Sequence, residues 1–192
     1  MKRPIDPSLF MRARLLALPL VLFLAVALTG CGASDSSPDD AAADQSTETT
    51  QSNASGDVDR TVTLKPKGNQ MKYQQTEFSV APGETVKLVF ENVATSPSMQ
   101  HNVVILASNG EGLFQKIGEP GTRAGSTNDY IPQEENLREQ ILAFTPMSKP
   151  GETVSVTFTV PEETGEHGYV CTFPGHWATM QGIMYVTKDA AT

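Results

Sequence analysis

The sequence predicts an all-β fold, an antiparallel sandwich of seven or eight short strands that carries a short helical flap as an insertion. Three observations predict it. From residue 59 onward, apolar and polar residues alternate in short runs, as they do in strands with one buried face. Turn dipeptides, Pro82-Gly83 and Pro150-Gly151, precede two of these runs. One long stretch, residues 108–140, breaks the rhythm, and stretches of this length usually pack over something.

The candidate strands follow one another at short intervals. In residues 85–90 the side chains of Val86, Leu88 and Phe90 share one face, which is the pattern of a half-buried strand. Residues 101–106 are apolar almost throughout after their first two positions, as a central strand would be. The other candidates show similar patterns, and they are residues 61–64, 71–73 with 77–80 (a pair or one bent strand), 154–160, 168–171 and 182–186.

Residues 108–140, named the flap here, contain Gly-rich turns and then the run from Pro132 to Gln140. A proline near the start of that run, followed by acidic residues, favours a short helix. We therefore expect the flap to consist of turns and one short helix.

Residues 1–30 are predicted to be a lipoprotein signal peptide. Basic residues are followed by an apolar run, residues 15–28, which has the length of a signal-peptide core and is short for a membrane span. The run ends in Leu28-Thr29-Gly30-Cys31, which resembles the bacterial lipobox. We expect Cys31 to be lipidated and to anchor the chain to a membrane, on its extracytoplasmic side. An ordinary signal peptide cut nearby is the alternative, and Met11 is an alternative start to Met1.

A disordered acidic tether is predicted for residues 31–58, which leaves residues 59–192 as the folded domain. The tether consists mainly of small and polar residues, so it cannot bury enough apolar surface to offset the entropy lost on ordering. As a flexible coil it would reach on the order of 30 Å. The whole chain has a formal net charge of −8, and the folded domain is also mildly acidic. Nothing in this composition suggests nucleic-acid binding.

The cysteine count points to a metal ligand. The chain has two cysteines, and if Cys31 carries lipid, Cys171 has no partner for an intramolecular disulfide. An unpaired thiol in an oxidising compartment is a liability unless something holds it. A ligand role for Cys171 is therefore attractive before any motif is considered.

A thiolate, an imidazole and a thioether lie close together in the sequence, at Cys171, His176 and Met180. A tight loop through Pro174-Gly175 can bring the three groups to one point. His101, which taken alone would be read as a core histidine, can supply a second imidazole from a neighbouring strand. Two imidazoles and a thiolate with a weak axial thioether form the ligand set of blue-copper sites. The sequence therefore predicts one copper ion bound by these four residues.

The segment from Cys171 to Met180 resembles the copper loop of the azurins and auracyanins, which are cupredoxins. The pattern C-T-F-P-G-H-x-x-x-M matches at every fixed position, and residues 99–104 resemble the strand that carries the first histidine of the family. Similarity extends from about residue 60 to residue 188, and residues 128–144 resemble the family's helical flap between strands. The resemblance implies a Greek-key cupredoxin β-sandwich with one type 1 copper.

The resemblance also implies a role for each ligand. His101 and His176 would bind copper through imidazole, Cys171 through its thiolate and Met180 axially. The family places a backbone carbonyl opposite the methionine, and here Gln100 would contribute it.

Two further residues are expected to support these ligands. Asn102 would tie the two ligand loops together, and the backbone N–H of Phe173 would point at the sulfur of Cys171. The disulfide near the N-terminus of azurins has no counterpart in this chain, as the cysteine count requires.

For two more residues near the motif, the sequence predicts no ligand role. Trp177 either packs under the flap or forms a wall of the surface through which electrons leave. His167 lies between glycines, in Gly165-Glu166-His167-Gly168, and is expected to be a solvated loop residue.

The sequence thus predicts a monomeric, membrane-tethered electron carrier whose partners are redox proteins, such as cytochromes or a membrane electron-transfer complex. Copper storage or delivery is the alternative, although the chain lacks the Met-rich or His-rich tail typical of such proteins. Copper enzymes of the oxidase or nitrite-reductase kind need a second histidine-rich site. His167 alone remains after the predicted site is filled, so we do not expect an enzyme.

Overall fold

Two β-sheets pack face to face in the computed structural model, which describes residues 49–52 and 57–190. The first sheet has the strand order β1-β7-β4-β2, and the second has the order β3-β9-β8-β5-β6. Two helices, α1 (Leu113–Ala124) and α2 (Glu135–Arg138), lie between β5 and β6 with a 3-10 turn, Ser126–Asn128. The strands are β1 (Thr49–Ser52), β2 (Arg60–Leu64), β3 (Glu77–Val80), β4 (Thr85–Glu91), β5 (Val104–Leu106), β6 (Ile141–Phe144), β7 (Thr153–Thr159), β8 (Gly165–Val170) and β9 (Gln181–Val186).

The predicted sandwich is confirmed, but its sheets are mixed rather than antiparallel. The pairs β4–β7, β8–β9, β5–β8 and β5–β6 are antiparallel, whereas β2–β4, β3–β9 and β1–β7 are parallel. Parallel pairs arise because consecutive strands change sheet: β3 follows β2 but joins the second sheet, and the chain then returns to pair β4 with β2. The Greek-key connections therefore produce parallel neighbours at the sheet edges.

The core between the sheets follows from the alternation seen in the sequence. Along β4 every second side chain is fully buried, and Val86, Leu88 and Phe90 point inward. Tyr169 of β8 and Met184 of β9 meet them from the other sheet in the same cluster. Each such side chain contributes about 1.5–3 kcal/mol when it is fully buried, so this cluster supports the end of the sandwich at which the ligand segments lie.

Several predicted strands need correction at their ends. β5 begins at Val104, and His101 before it makes only an isolated bridge to Ser148. Residues 71–73 form no strand, and Tyr73 alone bridges Pro66. β6 is not among the predicted strands, because the two turn residues between α2 and β6 are Glu139 and Gln140, which give no turn signal in the sequence, and its apolar run resembles a continuation of the helix.

β1 lies within the segment that the composition predicts to be a disordered tether. For its four residues the expected disorder is wrong, since Thr49 to Ser52 pair with Val154 to Thr157 of β7. Threonine has a high strand propensity, and β7 offers an open edge. The predicted signal peptide, Cys31 and the rest of the tether fall outside the described residues. Within the described residues, no helix has the length and apolar character needed to span a membrane.

Helix α1 replaces the Gly-rich turns expected in the flap, so that part of the prediction is wrong, whereas α2 confirms the short helix. Leu113 and Ile117 of α1 are buried in a second apolar cluster, between the flap and the outer face of the second sheet. A Cβ atom added at Gly118 would overlap the side chain of Trp177, and one at Gly121 would overlap the Tyr130 carbonyl oxygen and press on Thr172. These glycines therefore allow the helix to approach the segment that follows β8.

We predict that Gly118→Ala destabilises the fold by about 1–3 kcal/mol, because the added methyl group overpacks against Trp177. An alanine at an unconstrained helix position would instead gain about 0.5–1 kcal/mol over glycine. Gly165→Ala is the matched control, since no atom lies within 4 Å of the added Cβ there. Guanidinium unfolding followed by circular dichroism measures both, and a Gly118→Ala protein at least as stable as the parent would contradict the prediction.

Candidate metal centre

The antiparallel pairing of β5 with β8 brings two predicted ligands to one end of the sandwich. Val104 pairs with Val170, so the residues before β5 and those after β8 lie at the same edge. His101 precedes β5 and Cys171 follows β8 directly. The chain then turns back through Gly175, whose φ of 81° lies in the left-handed region that favours glycine, and this turn returns His176 toward Cys171.

Three predicted ligands converge on one point. The Nδ1 atoms of His101 and His176 are 3.1 Å apart, and they lie 3.8 Å and 3.6 Å from the Sγ atom of Cys171. A point inside this triangle lies about 2 Å from all three atoms, close to the metal–nitrogen distance of about 2.0–2.1 Å and somewhat below the metal–sulfur distance of about 2.3 Å known for zinc. All three side chains are buried. The donor set and its spacing therefore fit a single metal ion.

Burial sets the protonation of these three residues. Desolvation lowers the pKa of His101 to about 4, with a further contribution from the neighbouring His176, and desolvation lowers the pKa of His176 to about 4. Both rings are thus neutral at pH 7, and each can offer a nitrogen lone pair to a metal. Desolvation raises the pKa of Cys171 to about 12, although backbone N–H groups of Asn102 and Phe173 act in the opposite direction. A metal must therefore displace the thiol proton on binding.

The second ring nitrogen of His101 shows that hydrogen bonds at Nε2 do not hold this ring in the core. Its Nε2 atom is buried and has no hydrogen-bond partner within the described part of the chain, and the ring packs edge-on against Phe90. Buried polar groups in a core are nearly always paired. His101 therefore does not fit the bland interpretation of a satisfied core histidine.

Met180 ends the ligand loop, the segment of residues 171–180. Its backbone carbonyl accepts a hydrogen bond from the Cys171 N–H at 3.1 Å, and its own N–H donates to the His176 carbonyl at 2.8 Å. The side chain is fully buried and belongs to the same apolar cluster as Cys171. Gln100 is half-buried beside His101, and the approach of its carbonyl to the metal position stays a prediction.

Asn102 joins the two ligand segments through one side-chain amide. Its Oδ1 accepts a hydrogen bond from the Thr172 N–H at 2.9 Å, and its Nδ2 donates to Thr172 Oγ1 at 2.8 Å and to the Asp129 carbonyl at 3.0 Å. Asn102 and Thr172 are fully buried, so water does not compete for these bonds. Asn102 follows His101 and Thr172 follows Cys171, which means that the amide fixes one ligand relative to the other.

A further contact to His101 comes from Ser148, for which the sequence offered no signal. The backbone N–H and hydroxyl groups of Ser148 both donate to the His101 carbonyl, at 2.8 Å and 2.9 Å. Asn92 donates from its side chain to the carbonyls of Met99 and Ser148, at 2.9 Å and 3.1 Å. Hydrogen bonds from Ser148 to His101 and from Asn92 to Met99 thus fix the segment that carries His101.

Aromatic rings line the other side of the ligand loop. The ring of Phe173 lies 4.9 Å from that of His176, and the ring of Tyr130 lies 5.3 Å from that of Phe173 at an angle of 67°. Tyr130 comes from the flap, far away in the sequence. No local pattern could have predicted its place beside the site.

Trp177 and His167 have clear places in the structure. Trp177 is half-buried and packs against α1, so the interpretation in which it lies under the flap is confirmed. His167 is buried in β8, where its Nδ1 lies 3.1 Å from the Leu106 carbonyl oxygen. The expected solvated loop is therefore wrong, because the flanking glycines belong to a strand rather than to a turn.

Comparison with known proteins gives the same picture. Residues 60–187 match the family model described as copper-binding proteins of the plastocyanin/azurin family. Auracyanin-A of Chloroflexus aurantiacus is 37% identical over 132 residues, which cover 69% of this chain and 77% of that protein. Azurin of Alcaligenes faecalis is 34% identical over 102 residues, covering 52% and 75%. The crystal structure of reduced auracyanin from Roseiflexus castenholzii matches with a TM-score of 0.60 and 34% identity, covering 68% of this chain and 99% of that one.

We predict that Asn102→Ala destabilises the metal-free protein by about 1–3 kcal/mol, because the buried N–H of Thr172 loses its acceptor. Asn109→Ala is the control, since half-buried Asn109 donates one solvent-exposed hydrogen bond, to Glu166, and its loss should change stability by less than about 0.5 kcal/mol. Urea unfolding of both metal-free variants measures the difference. Equal effects of the two substitutions would contradict the role given to the Asn102 amide.

Proposed function

Because this chain belongs to the plastocyanin/azurin family of copper-binding proteins, we propose that it is a membrane-tethered electron carrier that cycles one bound copper ion between Cu(I) and Cu(II). Copper is its cofactor. The observation that carries the proposal is the convergence of two imidazoles and one thiolate at a buried point. When bound there, copper accepts and releases one electron at a time.

The ligand roles in this proposal follow the donor chemistry. His101 and His176 bind through Nδ1 and suit Cu(II), whereas the Cys171 thiolate also suits Cu(I). Met180 would supply a weak thioether donor, and the Gln100 carbonyl would be a further weak donor. Ligands that the fold holds in place would move little when the copper charge changes, and this would keep the barrier to electron transfer low.

The surroundings support a carrier better than a storage or delivery protein. The three donors are buried, and the loop that bears two of them is fastened by its own backbone bonds and by Asn102. A metal held in this way cannot be handed to another protein unless the loop opens. In the described residues, no second group of three or more histidine, cysteine or acidic side chains is placed to hold a metal, and this also favours a carrier over a copper enzyme.

Membrane tethering is the part of the proposal that rests on the sequence alone. The basic residues, the apolar run and the lipobox-like segment that ends in Cys31 support lipidation on the extracytoplasmic side. A polar tether would leave the domain free to reach redox partners at the membrane, such as cytochromes or a membrane electron-transfer complex.

The direct test is the colour of the purified protein. The copper-loaded chain should show an intense visible thiolate-to-copper charge-transfer band that disappears reversibly on one-electron reduction. Absence of this band in a folded, copper-loaded protein would exclude the proposed site.

Met180→Leu should keep the visible band and raise the reduction potential, since an apolar side chain in place of a weak donor disfavours the more highly charged Cu(II). Met184→Leu provides a matched control, because Met184 is equally buried but lies in the core as part of β9. Redox titration of the band measures both variants. Equal potentials for the two variants would contradict axial ligation by Met180.

Two cysteine variants separate the tether from the site. Cys31→Ser should lose the lipid mass carried by the parent protein and leave its visible band unchanged. Cys171→Ser should remain in the membrane fraction and lose the band. Mass spectrometry, fractionation and absorbance distinguish them, and a parent protein without lipid mass at Cys31 would contradict lipidation there.

A further inference from the structure

Two consecutive residues of the flap, Asp129 and Tyr130, have an unusual backbone. Their φ angles are 49° and 56°, in the left-handed region that non-glycine residues rarely occupy and that is especially uncommon for a bulky residue such as tyrosine. A backbone of this kind persists where surrounding contacts require it, and such places cluster at functional sites. We therefore expect surrounding contacts to hold Asp129 and Tyr130 in this conformation.

Those contacts lead to the metal centre. The Asp129 carbonyl accepts a hydrogen bond from the Asn102 amide at 3.0 Å, and the Asp129 side chain accepts one from the Met147 N–H at 3.0 Å. The Tyr130 N–H donates to the Gly125 carbonyl at 3.0 Å. The strained pair is thus fastened to the same amide that joins the two ligand segments.

The conformation places the Tyr130 ring in a row with two others. Tyr130 lies against Phe173, and Phe173 lies against His176, with ring centres 5.3 Å and 4.9 Å apart. His176 is buried, whereas Phe173 and Tyr130 are half-buried. The three rings form a continuous path of packed atoms from a metal ligand toward solvent.

We propose that Tyr130 is a positioning residue for electron exchange: its ring holds Phe173 against His176 and extends the packed path to the surface that a redox partner meets. The inference rests on the proposed electron-carrier function. Packed rings keep the ligand still when the copper charge changes, and they leave no gap between the partner and His176. Trp177, the neighbour of His176, packs against α1 and is not part of this row of rings.

The test is the electron self-exchange rate of copper-loaded protein, measured by NMR on mixtures of the Cu(I) and Cu(II) forms. Tyr130→Leu should slow exchange by about tenfold, equivalent to about 1.4 kcal/mol of activation free energy, with the position of the visible band unchanged. Tyr130→Phe keeps the ring and should exchange at the parent rate. Tyr185→Leu is the control, because Tyr185 lies in β9 and pairs with Glu166 and Ser79 at the opposite end of that strand from the ligand loop.

The outcomes separate this inference from the proposed function. A Tyr130→Leu protein that exchanges at the parent rate overturns the inference, as does equal slowing by Tyr185→Leu. Loss of the visible band or of the fold in Tyr130→Leu also overturns it, since the ring would then be a structural element. A parent protein without a reversible visible band overturns the electron-carrier function itself.

Discussion

The amide of Asn102 is the contact on which the metal centre depends. It binds Thr172 through both of its polar atoms and also reaches the Asp129 carbonyl, so it joins the His101 segment, the ligand loop and the flap. The pairing of β5 with β8 brings these segments together, but pairing alone leaves the loop after Cys171 free to move. Because the amide is buried, its bonds face no competition from water, and the donor atoms are held near one another before any metal arrives.

The burial of these donor atoms away from water affects the stability of the metal-free protein. Burial keeps His101 and His176 neutral and Cys171 protonated in the metal-free protein, and it leaves His101 Nε2 without a partner in the described part of the chain. Burying these polar groups away from water, and leaving one nitrogen unpaired, carries desolvation costs. The apolar cluster between the sheets offsets them, and metal binding replaces the thiol proton with a cation that the thiolate and the two neutral rings can share.

The sequence was sufficient where the relevant pattern is local. Spacing alone indicates that Cys171, His176 and Met180 share a loop, and alternation places β4 and β7 within a residue of their observed ends. It failed where the reason is tertiary. Gly118 and Gly121 suggest a turn, yet they belong to a helix because they make room for Trp177 and Thr172. The glycines beside His167 likewise lie in a strand, and no local signal indicates that Tyr130 meets Phe173.

The predictions that failed fall mainly in the flap, because its conformation depends on contacts with the ligand loop. Through α1 it contacts Trp177 and Thr172, and through the strained pair it contacts Phe173 and Asn102. The ligand loop around His176 is therefore held on two sides by a segment that contributes no ligand. A flap whose contacts served only to cover the sheet would need neither glycines fitted to the loop nor a tyrosine in a strained conformation. Its unusual residues are better explained by the need to keep one imidazole fixed while still leaving a path for an electron.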